Sequence, residues 1–257
     1  MRILFAFVFF SLISYNPSYA GDEATQEVDV NVVTAIDVSG SVGLGGEGFQ
    51  FAAIARAIEH PDFLQAIARG YRKRIGFSVM TWSSKGGFSK VIDWTSISSE
   101  QQSKGIARQL RHASPRTQYR YGRLAPNLPK RPWRRYLSTD ISGALNLALD
   151  WLEEAPFPSA RSVINLCTNG TDNVAEGPEL ARMRAIESNT TVNGLIIGDD
   201  PQVTAYFKDH VQTGTRSFVV EARQHDDILD AMLRKFLLDL VMAPDPAGHD
   251  RQAWSQQ

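Results

Sequence analysis

The sequence is poor in the residues that build the commonest metal and redox centres. It holds one cysteine in 257 residues, which excludes an intramolecular disulfide framework and any multi-Cys zinc or iron–sulfur site. The five histidines, His60, His112, His210, His225 and His249, are dispersed, and no two share a zinc-binding helical spacing. An excess of charge of one sign is also missing. The formal net charge is −1, which excludes a generally basic nucleic-acid binder. Charged residues make up 21% against 43% hydrophobic, so the chain is not wholly disordered and can bury a sizeable core. The only long apolar run lies at the extreme N-terminus, so the body of the chain has no membrane span. There is no G-x-S-x-G nucleophile elbow and no G-x-x-x-x-G-K-[ST] phosphate loop. Gly43 to Gly48 does match G-x-G-x-x-G, but Asp37 to Ser41 occupies the turn that a dinucleotide site would need. These glycines are read as a flexible lead into a helix.

Residues 1–20 read as a secretory signal peptide. Arg2 supplies a positive start, Ile3 to Ile13 is an apolar stretch too short to span a bilayer, and Ser18-Tyr19-Ala20 offers small residues for cleavage. The expected location is periplasmic or secreted. The expected organisation is a lead over 21–27, one domain over 28–243 and a disordered polar tail over 244–257. Cys167, inside the apolar run Val163 to Cys167, is read as a packed core residue.

Strand and helix patterns alternate along the domain. Val28 to Ile36 is almost continuously apolar and reads as a strand buried on both faces. Phe51, Ile54, Ala55 and Ile58 follow at helical spacing. Ile75 to Trp82 and Lys90 to Trp94 read as strands joined by a Ser/Gly-rich turn, which predicts a hairpin and one antiparallel edge strand. Next come a helix over Ser99 to Leu110 and another with Ile141, Leu145, Ala148, Leu149 and Leu152 on its apolar face. A strand over Ser162 to Cys167, a helix over Pro178 to Ser188 and a strand over Thr191 to Ile197 follow. Asp199-Asp200-Pro201 reads as a turn, Phe218 to Val220 as a short strand, and Leu229, Leu233, Phe236 and Leu240 as the face of a closing helix capped near Asp226 or Asp227. The alternation predicts an α/β fold, a three-layer α/β/α sandwich around a mostly parallel sheet.

Such sheets bind ligands at the carboxyl ends of their strands. The loop after the first strand is Asp37-Val38-Ser39-Gly40-Ser41. One carboxylate and two hydroxyls at alternating positions form a hard-oxygen set suited to Mg²⁺ or Mn²⁺ rather than zinc or copper. The plain alternative is a polar turn with Asp37 capping the next helix. Two further segments fall at element mouths. Thr139-Asp140 precedes a helix, where Thr139 could serve as a cap, and Thr168-Asn169-Gly170 ends a strand.

Together the three segments resemble the metal-ion-dependent adhesion site of the von Willebrand factor type A domain. More narrowly, AIDVSGSV, WSSKGGFSKVIDWT, TDISGAL and VNGLIIGD resemble a family of secreted bacterial type A-domain proteins of uncharacterised function. The resemblance implies a von Willebrand type A-like sandwich. It implies that Ser39, Ser41 and Thr139 ligate Mg²⁺ or Mn²⁺, with Ca²⁺ as an alternative ion, through their hydroxyls. Asp37 would be the main charged member, and one coordination position would stay open for a partner's carboxylate. The chain departs from the family at Asn169, where Asp is usual. Asn keeps an oxygen and loses the charge, unless Asp172 supplies a carboxylate or the site has lapsed.

A second departure is a basic insertion over 111–136, with seven Arg, one Lys and no acidic residue. Aromatic residues interleave with the cations, and four prolines oppose a continuous helix. Arg120, Arg123, Arg131, Trp133, Arg134 and Arg135 are the candidate contacts for an acidic protein or polymer. The alternative is a solvated loop that balances an acidic body. Single-stranded nucleic acid would suit this composition, but export argues against it. The leading function is a binding module, not an enzyme. The alternatives are a metal-dependent hydrolase at the same site and a structural domain whose site is empty.

Overall fold

The computed structural model describes residues 26–85, 87–113, 138–174, 176–224 and 227–241. The expected signal peptide, the tail over 244–257 and the six candidate partner-binding residues of the insertion lie outside them.

Six strands form one sheet: β1 (Asn31–Asp37), β2 (Ile75–Trp82), β3 (Ser89–Ile97), β4 (Ser162–Thr168), β5 (Thr190–Ile197) and β6 (Val219–Ala222). Their order is β3-β2-β1-β4-β5-β6, and every pairing is parallel except β2 with β3. The mostly parallel sheet and its antiparallel edge strand are as the sequence predicts. β3 runs on to Ile97, past the expected end at Trp94, because Phe77, Gly76 and Ile75 continue to pair with Thr95, Ser96 and Ile97.

Helices cover both faces: α1 (Gly43–Glu59), α2 (Pro61–Arg69), α3 (Glu100–Ala113), α4 (Ile141–Glu153), α5 (Glu179–Glu187), α6 (Pro201–Tyr206) and α7 (Asp227–Val241). A π-helical turn over Phe207–Val211 extends α6. β1 shows why two layers form. Val32 and Ile36 pack with Ile54, Ile58, Phe63 and Phe236 on one side. Val33 and Ala35 pack with Leu145, Leu149 and Phe207 on the other. Period-two alternation of an apolar strand feeds two cores at once. Each fully buried Ile or Phe stabilises the fold by roughly 1.5–3 kcal/mol. On α4, Ile141, Ala144, Leu145, Ala148 and Leu149 are buried at i, i+3, i+4, i+7 and i+8, a face wide enough for a sheet-packed helix.

Several expectations need correction. Gly43 to Gly48 is not a lead but the first turns of α1. α2 and α6 have no counterpart among the expected elements. Each starts with proline in its first turn behind a side-chain cap: His60 Nδ1 accepts the Asp62 N–H, and Asp200 accepts the Gln202 N–H. Proline there is a helix start, not a turn, because the missing N–H would have been unpaired anyway. α3 continues to Ala113, and Arg111 on it pairs with Glu59 of α1. Arg111, expected at the start of the basic stretch, is therefore part of α3. The closing helix presents Ile228, Ala231, Met232, Lys235, Phe236 and Asp239 as its buried face, whereas Leu229, Leu233 and Leu240 are only half-buried.

Cys167 is fully buried, as expected, and burial pushes its thiol up to about 12. The thiolate is the reactive form. Thiol reagents at neutral pH are therefore expected to label the unfolded chain and to leave the native one untouched. Stoichiometric labelling of native protein would contradict this.

Candidate metal centre

The strand order reverses direction at β1 and β4, whose carboxyl ends open side by side. Crevices at such a reversal are where open α/β sheets bind ligands. β1 ends at Asp37 and β4 at Thr168, so the register delivers the Asp37–Ser41 loop and the Thr168–Gly170 turn to one place.

Asp37 lies at the bottom, with no exposed surface. One carboxylate oxygen accepts the Ser39 N–H at 2.7 Å and the other accepts the Thr168 hydroxyl at 3.0 Å. The Ser39 hydroxyl and the Asn169 N–H also face the carboxylate. Burial nevertheless raises its pKa above the ordinary carboxylate value, and these hydrogen bonds pull in the opposite direction. Gln50 of α1 donates Nε2 to the Asp37 carbonyl at 2.9 Å and fixes the start of the loop.

Above Asp37 the oxygens are linked. Ser39 and Ser41 Oγ are 3.1 Å apart, and Ser41 donates to Asn169 Oδ1 at 2.9 Å. Thr139 is buried beside the same turn. Its Oγ1 lies 3.9 Å from where a Cβ on Gly170 would stand. The structure thus gathers Asp37, Ser39, Ser41 and Asn169 through direct hydrogen bonds and sets Thr139 against the residue after Asn169. Thr139 is not the helix cap. Asp140 is, accepting the Gly143 N–H at 2.7 Å, so the capping alternative for Thr139 falls away. Asp37 does not cap α1 either; that helix has no side-chain cap.

The Asp172 carboxylate is turned to backbone donors rather than to the row of oxygens. Its Oδ2 accepts the Ile141 and Ser142 N–H groups, and its Oδ1 accepts the Val174 N–H. The sequence reading did not find Gln50, nor the bond from Thr168 to Asp37. Thr168 was legible only as the residue before Asn169, and no local pattern marks Gln50.

The donor set suits a hard divalent cation: neutral oxygens from Ser39, Ser41, Thr139 and Asn169 over one carboxylate whose burial leaves its charge poorly solvated. Among the described residues no group of three or more His, Cys, Asp or Glu is placed to hold a metal ion. A cation here would be held chiefly by hydroxyls. Among the same residues, no helix is long and apolar enough to cross a membrane.

The fold is that of the von Willebrand factor type A domain. Proximal thread matrix protein 1 from the mussel byssus superposes with a TM-score of 0.54 at 13% identity, over 84% of this chain and 49% of that one. A structure of the same protein with a zinc-occupied metal-ion-dependent adhesion site motif also gives 0.54, at 14% identity, over 84% and 47%. The chain therefore spans about half the length of these mussel structures. The von Willebrand factor domain of the type V pili tip protein Mfa5 from Porphyromonas gingivalis gives 0.55 at 10% identity, over 85% of this chain and 97% of that one. None of the curated proteins matches the chain in sequence. Its sequence does match, over residues 27–123 and 116–244, the family described as a protein of unknown function, DUF1194, and to that family the chain belongs.

Proposed function

We propose that the chain is an exported binding module, not an enzyme, that grips a partner's carboxylate through a divalent cation seated on Ser39, Ser41, Thr139 and Asn169 above Asp37. The observation that carries this reading is the linked row of neutral oxygens, Ser39, Ser41 and Asn169, over a buried carboxylate at the sheet's reversal point. Neutral ligands leave a cation short of negative charge, so an incoming carboxylate gains a strong contact. Mg²⁺ or Mn²⁺ suits this set best, with Ca²⁺ as the alternative. The carboxylates of Asp140 and Asp172 already accept backbone N–H groups, which favours binding over base-assisted hydrolysis. The basic stretch after α3, including Arg120, Arg123, Arg131, Trp133, Arg134 and Arg135, would add attraction for an acidic protein or polymer. Residues 1–20 would direct the chain to the periplasm or beyond.

Calorimetric titration with Mg²⁺ and Mn²⁺, followed by binding of an acidic peptide with and without chelator, tests the proposal. Chelator-sensitive peptide binding is expected. No uptake of either cation at concentrations on the order of millimolar would reject it.

Asn169 gives a sharper expectation. A divalent cation over Asp37 alone keeps a formal charge of +1, and Asn169→Asp cancels it. The variant should bind bare metal about tenfold more tightly and the acidic peptide more weakly. Equal metal affinities in the two proteins would reject Asn169 as a ligand.

A further inference from the structure

Asp172 and Asn173 take no part in the row of oxygens, yet they hold the chain that delivers Thr139. The Thr139 N–H donates to Asn173 Oδ1 at 2.7 Å, and the Asn173 N–H donates back to the Thr139 carbonyl at 3.0 Å. Asp172 Oδ2 takes the next two donors, the Ile141 N–H at 2.7 Å and the Ser142 N–H at 3.1 Å. Its Oδ1 folds the loop on itself by accepting the Val174 N–H at 2.8 Å. Behind the loop, the Tyr206 hydroxyl meets the Asp172 N–H. On the far side, the Asp140 N–H donates to the Ser83 carbonyl at 2.8 Å. The segment 139–142 is therefore pinned from two neighbouring loops.

We propose that Asp172 and Asn173 are positioning residues of the metal centre, a clamp that sets Thr139 in place before any cation arrives. This rests on the metal-binding reading above. Asn169 and the clamp belong to one turn, so the loop that offers one oxygen also fixes the segment that offers another. Helix α4 has its own cap in Asp140, which takes the Gly143 N–H, while Asp172 takes the two donors before it, so the carboxylate that seats the helix start also fixes the residue next to Thr139. Finally, the Asp172 carboxylate already accepts three N–H donors and sits where the helix N-terminus favours negative charge, so turning it toward a cation would release the segment it holds. Outer residues that orient ligands in this way commonly change metal affinity by about 10–100-fold when removed.

The test compares Asn173→Ala, Asn173→Asp, Asp172→Ala and the remote core variant Ile67→Ala, with Mn²⁺ alone as the probe, thermal melts of each, and amide exchange of the metal-free proteins. Asn173→Ala should weaken Mn²⁺ binding about tenfold or more. Asn173→Asp, which keeps an acceptor oxygen for the Thr139 N–H, should restore most of the loss. Ile67→Ala should melt earlier and bind Mn²⁺ like the parent chain. Without metal, the Thr139, Ile141 and Ser142 amides should exchange faster in Asn173→Ala and Asp172→Ala. Unchanged Mn²⁺ affinity in Asn173→Ala, or an equal loss in Ile67→Ala, overturns the clamp. If the parent chain takes up no Mn²⁺, the metal reading fails and amide exchange alone decides: faster exchange at those three amides supports the clamp, and unchanged exchange overturns it.

Discussion

Asp37→Asn is expected to lower Mn²⁺ affinity by about 100-fold while leaving the domain folded. Among the described residues, Asp37 is the only charged side chain directly linked to the row of site oxygens, and it is completely buried. Removing its charge takes away the main electrostatic reason for a cation to sit there. Asparagine keeps one acceptor oxygen for the donors that converge on this position. Asp37→Ala would leave the Ser39 N–H without its acceptor and the Thr168 hydroxyl with the Gly170 carbonyl alone, at about 1–3 kcal/mol for a buried group left unpaired. Alanine therefore mixes unfolding with metal loss, and asparagine separates them. Calorimetry with Mn²⁺ beside a thermal melt reads both effects. Retained affinity in a folded Asp37→Asn protein would remove Asp37 from the site.

The second large effect lies in the core beneath helix α7. Asp239 of α7 is 1% exposed and accepts Nδ2 donors from Asn165 of β4 at 2.7 Å and Asn193 of β5 at 2.8 Å. Lys235, one turn earlier, is fully buried with its ammonium 4.9 Å from the Phe218 ring. Burial drives the acid's pKa up and the amine's down, and each charge partly offsets that shift in the other. Asp239→Ala leaves Lys235 and two amide groups uncompensated. It should cost about 3–5 kcal/mol, or a fall in melting temperature of roughly 10 °C for a domain of this size. Lys235→Met combined with Asp239→Leu should recover much of that loss, because an apolar pair needs no compensation. Urea unfolding of the three proteins checks the order. A double variant no more stable than Asp239→Ala would mean that packing, not charge, sets the cost.

This pair also marks where sequence patterns mislead. Leucines 229, 233 and 240 are spaced as an apolar face, yet the buried face is turned toward Ile228, Met232, Lys235 and Asp239. A periodicity that counts charged residues as outside cannot place a helix whose charges are inside. The central strands were legible for the opposite reason. β1 is rich in apolar residues because both its faces are covered, and the oxygen-rich Asp37–Ser41 begins at its last residue. Asn169 was legible as the end of another buried strand. The links from Asp172 to Ile141 and from Asn173 to Thr139 were not, since hydrogen bonds between loops some thirty residues apart leave no spacing to read. The links of Gln50 and Thr168 to Asp37 leave no pattern for the same reason. The short helices α2 and α6 were hidden by prolines that look like turn residues until a cap is seen in front of them.

The candidate ligands come from three stretches of chain that meet only at the mouths of the two middle strands. A cation held there would act as a rivet between the opening portion of the polypeptide and its second half. Its departure would loosen more than a local loop. By mass action, stabilisation should grow with the logarithm of added metal, so the whole domain's melting curve would itself report how full the seat is.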